Sequence, residues 1–191
     1  VTVAARLADA NAKVMTDPDG RYPGATIKRI VVKGSFHGRT DRPALYSDSS
    51  RKGYIANLAS YRGEDSVIAI EPYDVQALQQ AFESARASNW FIEAMFLEPV
   101  MGEGDPGRSV PVDFYNEARR LTAEHGSLLM VDSIQAGLRA HGVLSIVDYP
   151  GFEQCDAPDL ETYSKALNAG QFPLSVLAMT ERAAATYRPG L

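Results

Sequence analysis

Apolar and polar positions along the chain switch repeatedly between a helical period and short strand-like runs. Residues 2–15 (TVAARLADANAKVM) place Val3, Leu7, Ala10 and Val14 on one helical face, and Asp17-Pro18-Asp19-Gly20 closes that unit with turn-forming residues. Residues 26–33 (TIKRIVVK) are rich in β-branched side chains and predict a strand that runs into Gly34-Ser35-Phe36-His37-Gly38. Residues 40–62 mix Pro, Ser, Gly and Tyr without a clear period and read as irregular surface. A second strand is predicted at 66–70. It is followed by a helix over 74–86 with Val75, Leu78, Phe82 and Ala85 inward. A third strand is predicted over 90–100 (WFIEAMFLEPV). Residues 112–126 then form a helix, with Phe114, Ala118 and Leu121 on one side and Gly126 as its C-cap. The run 128–131 (LLMV) is wholly apolar, the mark of a central strand covered on both faces. Residues 160–164 and 174–179 supply two more short strands.

Strands separated by helices predict an α/β fold: a three-layer, mainly parallel sheet with helices on both faces. In such a sheet, ligands sit outside the carboxyl ends of the strands, so the chemistry is sought just after each apolar run. Those positions hold Phe36-His37-Gly38, Glu98-Pro99, Asp132-Ser133-Ile134-Gln135 and Ser164-Lys165. A carboxylate at the end of the most apolar strand and a lysine at the end of another both need partners if buried. From spacing alone, Asp132 and Lys165 fit a buried salt bridge or two solvated strand ends as well as they fit a catalytic pair.

Several other readings fall away on chemistry. Gly102-Glu103-Gly104-Asp105-Pro106-Gly107 matches G-x-G-x-x-G after a strand. However, its two carboxylates would repel a pyrophosphate, its proline lacks an amide donor and no helix opens at Gly107, so a surface turn is expected. There is no G-x-S-x-G elbow to make Ser133 a hydrolase nucleophile and no Walker pattern. His37, His125 and His141 lack metal-ligand spacing, and His125 beside Gly126 reads as a helix C-terminal residue favoured by the helix dipole.

Bulk composition narrows the partners. With 191 residues, 45% apolar and 23% charged, the chain suits one sizeable domain, and a net charge of −5 argues against a nucleic-acid footprint. No stretch has the length and apolarity of a membrane span. The single cysteine, Cys155, excludes an internal disulfide framework and points to a reducing, cytoplasmic setting. The chain opens on Val1 rather than Met, and its first residues already read as helix, as expected of a piece of a larger protein.

Four blocks in order carry a family resemblance: FHGRT (36–40), EPVMGEGDPG (98–107), LLMVDSIQAGLRAHG (128–142) and APDLETYSKALNAGQFPLSVLAM (157–179). Together they resemble the class-III aminotransferases, pyridoxal 5′-phosphate (PLP) enzymes of fold type I related to the ornithine, acetylornithine, lysine and 4-aminobutyrate transaminases. The resemblance implies that Lys165 forms the Schiff base with the cofactor aldehyde and later moves the substrate proton. It implies that Asp132 pairs with the pyridine nitrogen and keeps the ring an electron sink. Gln135 is expected at the phenolic oxygen, Phe36 on the ring face with His37 beside it at the cofactor, and Glu98 on the substrate side, gating a carboxylate through an arginine.

The implied reaction passes an amino group from an amino acid or ω-amine donor to a 2-oxo acid. A homodimer is expected, with no nucleic-acid, membrane or metal partner. Racemases, aminomutases and decarboxylases use the same scaffold, and a catalytically inactive structural unit is a further alternative. The sequence departs from the pattern at Ser133, where relatives usually carry glutamate, and after Arg139, where Ala140-His141 replaces a Thr-Gly turn. The resemblance also places residues 1–191 as the large-domain core, without the upstream phosphate loop and without the C-terminal small domain. That loop is expected at the N-terminus of the first helix.

Overall fold

The computed structural model describes residues 1–188; the last three residues of the expected 1–191 unit lie outside the described residues. One six-stranded sheet runs through it, built from β1 (Thr26–Val32), β2 (Val67–Ile70), β3 (Trp90–Leu97), β4 (Leu128–Asp132), β5 (Leu160–Tyr163) and β6 (Val176–Met179). The order across the sheet is β2-β1-β3-β4-β5-β6. The first five strands pair in parallel, and β6 turns back antiparallel on β5. After β1 the chain steps to one side for β2 and then to the other for β3. This opens a crevice at the carboxyl ends of β1 and β3, the switch point at which such sheets bind ligands.

Helices cover both faces. On one, α4 (Val75–Ala87) and α5 (Val112–His125) bury Leu78, Phe82, Phe114 and Leu121 against Ile30, Ile92, Leu97, Leu129 and Val131. On the other, α1 (Thr2–Thr16) packs on Ala94, Phe96, Leu128 and Met130, helped by α6 (Glu181–Ala184) through Ala183. All five residues of β4 are buried, as the apolar run predicted. Strand β3 ends at Leu97, earlier than its apolar run suggested, because Glu98 and Pro99 leave the ladder.

The face expected of α1 needs correction. Val3 and Val14 are more than half exposed, whereas Ala4, Ala5, Leu7, Ala8 and Ala12 are buried. Small alanines let the helix backbone lie close on the sheet, so the stripe of large residues was a poor guide to the inward side.

The stretch 40–62 is likewise not irregular. It holds α2 (Asp41–Tyr46), α3 (Asp48–Asn57) and a short 3-10 turn at Ala59–Tyr61. Helix α2 spans only six residues, and α3 buries none of its side chains, so neither leaves an amphipathic period in the sequence. A buried carboxylate anchors α2 to the sheet. Glu93 accepts from Tyr46 Oη at 2.7 Å, from Arg42 at 2.6 Å and from Arg29 Nε at 2.9 Å. Arg29 lies where the register between β1 and β3 shifts by one residue. The Tyr46 ring also stacks on Phe96, with centroids 3.6 Å apart.

Gly126 ends α5 in the left-handed conformation, φ 82°, as predicted. The reading of His125 as a dipole-favoured cation is overturned. The ring is almost fully buried, stacked on Phe91, and its Nε2 accepts from Ile92 N at 3.2 Å. Burial first, then Arg86 and Arg21, lower its pKa from 6.5 to about 4, so the ring is a neutral acceptor joining α5 to β3. Among the described residues no helix is long and apolar enough to cross a membrane.

Candidate active site at the carboxyl ends of the strands

The predicted residues converge. Phe36 and His37 follow β1, Glu98 follows β3, Asp132 ends β4 and Lys165 follows β5, and all five line one cavity of about 300 Å³ together with Gln135. Ile134, Thr40, Pro43 and the start of α1 (Val1, Thr2) complete its wall. The volume sits at the lower end of the range that small-molecule sites occupy.

Asp132 is the most closely held of these groups. One carboxylate oxygen faces His37 Nδ1 at 3.0 Å; the other accepts from Thr162 Oγ1 at 3.1 Å and from Ile134 N at 3.3 Å. Both Asp132 and His37 are buried. With Nδ1–H donating to the carboxylate, His37 Nε2 is left buried without a partner among the described residues. At the junction of α2 and α3, Ser47 fixes the histidine loop by accepting from His37 N at 2.8 Å and donating to Gly38 O at 2.7 Å. The helices that sequence reasoning missed are therefore what orient His37.

Glu98 bridges two loops. Its carboxylate accepts from Phe36 N at 2.9 Å and from Gly102 N at 3.0 Å. Burial pushes its pKa up, against the opposing pull of His37 and of those two backbone donors. The Gly102–Gly107 segment is thus more than a surface turn. Gly104 N donates to Gly34 O at 3.0 Å, and a Cβ at Gly104 would sit 2.3 Å from that same oxygen. A Cβ at Gly102 would meet the Gln135 amide at 2.5 Å. Gly104 thus serves a close approach of two backbones, whereas Gly102 lies against the end of the Gln135 side chain.

Lys165 differs from Asp132 in its exposure. It stands exposed on the cavity wall at the start of a 3-10 turn, Lys165–Asn168, and makes no ion pair among the described residues. This removes the Asp132–Lys165 salt bridge as an explanation of the two charges, because Asp132 is occupied by His37. The turn is held from below, with Ser164 Oγ donating to Leu174 O at 2.5 Å. Arg39 lies over the Phe36 ring, 5.6 Å from its centroid. Among the described residues no group of His, Cys, Asp and Glu side chains is arranged to hold a metal ion.

Besides Ser47, Thr162 went unread in the sequence. Thr162 reaches Asp132 from β5, a cross-strand contact that no local pattern encodes. Ile134 lies in the segment singled out after β4 but was given no role of its own; it lines the cavity between Asp132 and Gln135.

A family model for class-III aminotransferases matches residues 1–191. The chain belongs to the class-III aminotransferases. Among relatives of this family, ornithine aminotransferase 2 of Staphylococcus aureus strain N315 is 34% identical over 164 residues, covering 84% of this chain and 37% of that protein. The ornithine aminotransferase of Staphylococcus epidermidis is 33% identical over the same share of both chains. In three dimensions, the Toxoplasma gondii ornithine aminotransferase superposes with a TM-score of 0.77 at 26% identity, over 99% of this chain and 40% of that one. The N-acetylornithine aminotransferase of Stenotrophomonas maltophilia shares the fold, with a TM-score of 0.66 at 24% identity, over 97% of this chain and 39% of that one. This class-III chain therefore spans about 37% of the length of the curated relatives it matches.

Proposed function

We propose that this chain is the cofactor-binding core of the large domain of a PLP-dependent aminotransferase, which moves an amino group from an amino acid or ω-amine donor to a 2-oxo acid. The observation that carries the reading is Asp132, a buried carboxylate held on both oxygens by His37, Thr162 and Ile134 N. It lines the same cavity as the exposed Lys165, which makes no ion pair among the described residues. Family membership supports it, as does the Toxoplasma gondii ornithine aminotransferase, which carries PLP at partial occupancy in its active site.

The donor set fits that cofactor. Bound here, PLP would supply an aldehyde that captures amines and a ring that withdraws electrons from the substrate Cα. Asp132 would accept from the ring nitrogen and keep a proton on it, with His37 holding the carboxylate in place. Phe36 and Ile134 would offer apolar surface to the ring, and the Gln135 amide, on the same cavity wall, would hold its phenolic oxygen. The start of α1 opens on the cavity, and a helix N-terminus suits a phosphate. Lys165 Nζ is the amine that would hold the aldehyde carbon, with loss of water, and, once displaced by substrate, would carry the proton at the substrate Cα. Filling the cavity also removes water from that exposed amine. Glu98 stands on the substrate side.

A homodimer in the cytoplasm completes the proposal. Exposed Ile55, Leu58, Phe172, Val176 and Met179 offer apolar surface to a second copy. The test is an amine-transfer assay with PLP and a donor panel that includes L-ornithine and 4-aminobutyrate, with 2-oxoglutarate as acceptor. Stoichiometric formation of glutamate and a carbonyl product is expected. Racemised, migrated or decarboxylated donor without glutamate would replace transamination by one of those reactions.

A further inference from the structure

We infer that Glu161 is a positioning residue that closes the base of the loop carrying Gln135. This inference rests on the proposed PLP site. Glu161 lies on β5 beside Thr162 and is 4% exposed. Its carboxylate meets three neutral donors. Oε1 accepts from Ser133 Oγ at 2.6 Å and from Ile146 N at 3.0 Å, and Oε2 accepts from Ser145 Oγ at 2.7 Å. Ser133 opens the loop that follows β4, and Ser145 and Ile146 end it, so one side chain grips both ends.

Between those ends the loop is tied to itself. Gly137 N donates to Ser133 O and Leu138 N to Val143 O, each at 2.8 Å. Gln135 projects from this closed loop onto the cavity and rests against Gly102. Ser133 N is further bonded to Thr162 O, next to the hydroxyl that holds Asp132.

A buried carboxylate without a cation is costly unless donors satisfy it. Here the donors are the loop ends themselves, so desolvating Glu161 and closing the loop are one event. The field of Glu161 is felt nearby: burial and this carboxylate push the phenol of Tyr149 up to about 12 and raise that of Tyr163. The position also gives a physical reason for Ser133. A glutamate there would set a second carboxylate against Glu161, whereas a hydroxyl donates to it.

The test compares Glu161→Ala with Glu161→Gln by hydrogen exchange on the unliganded protein and by absorbance titration with PLP. Glu161→Ala is expected to speed exchange of amides 134–146 about tenfold relative to β3 and to weaken PLP binding about tenfold. Glu161→Gln keeps an oxygen for Ser133 and Ile146, and the Ser145 hydroxyl can turn to accept from its amide. It should therefore return both readouts to within about threefold of the parent protein. If Glu161→Ala does not fold, Ser145→Ala carries the same expectation for amides 138–146. Unchanged exchange in the alanine variant, or a glutamine variant as impaired as alanine, overturns the inference. Should the parent protein bind no PLP, the proposed function fails, while the exchange arm still decides whether Glu161 closes the loop.

Discussion

The imidazole of His37 and the carboxylate of Asp132 meet at 3.0 Å, with both side chains buried at the ends of two strands that are not neighbours in the sheet. Strand β3 lies between β1 and β4, so the contact spans the crevice at the carboxyl edge. It leaves Asp132 no freedom to rotate, since Thr162 and Ile134 N hold its other oxygen. A carboxylate so fixed is ready to face a cationic ring nitrogen without reorganising.

Replacing His37 by leucine removes one charge-assisted hydrogen bond and frees the carboxylate. PLP affinity is expected to fall about tenfold, in line with roughly 1.5 kcal/mol for such a bond. A fluorescence titration measures this, and affinity within twofold of the parent protein would remove His37 from the site.

Asp132→Asn keeps the shape but loses the charge that holds a proton on the ring nitrogen. The cofactor should still bind, while exchange of the donor's Cα hydrogen with deuterated water slows about 10³-fold, the scale of a preorganised electrostatic contribution. Proton NMR of the donor follows the exchange directly. An unchanged rate would mean that Asp132 supports the fold and not the chemistry.

His125 should make stability depend on pH. Its value falls from 6.5 to about 4 in the folded chain, so the unfolded chain takes up a proton first as pH drops. Stability is complete above 6.5 and is lost as pH falls toward 4. The expected loss across that window is about 3 kcal/mol, several degrees in Tm. His125→Gln, which keeps an acceptor for Ile92 N but cannot titrate, should flatten this part of the Tm profile. Parallel profiles for the two proteins would contradict the neutral, buried histidine.

Glu98 works with the opposite sign. Burial raises its value in the folded chain, so it favours the fold below the unfolded glutamate value of 4.5, and that contribution is lost as pH rises through the higher folded value. The Tm of the parent protein relative to Glu98→Gln should therefore be highest near pH 4.5 and decline toward neutrality. A difference that grows with pH would show that the bonds from Phe36 N and Gly102 N outweigh burial.

Much of this was legible in the sequence because the strands are short and apolar and the residues that line the cavity sit just beyond them. The run LLMV followed by Asp132 announced both a central strand and a charged end. Phe36, His37, Glu98 and Lys165 were found by the same rule. Contacts made across strands or between loops stayed hidden. Thr162 and Glu161 alternate on β5 and reach opposite partners, Asp132 and Ser133, which only the register of β5 on β4 reveals. Helix α3 was missed because it buries no side chain, and the inward face of α1 because alanines, not valines, meet the sheet.

The most direct measurement is borohydride reduction of the protein after incubation with PLP, with the labelled peptide identified by mass spectrometry. The label should fall on the peptide containing Lys165, and Lys165→Ala should abolish both it and the yellow absorbance of the bound cofactor. Label absent from that peptide, or spread evenly over Lys13, Lys33 and Lys52, would contradict the assignment of this cavity as a PLP site.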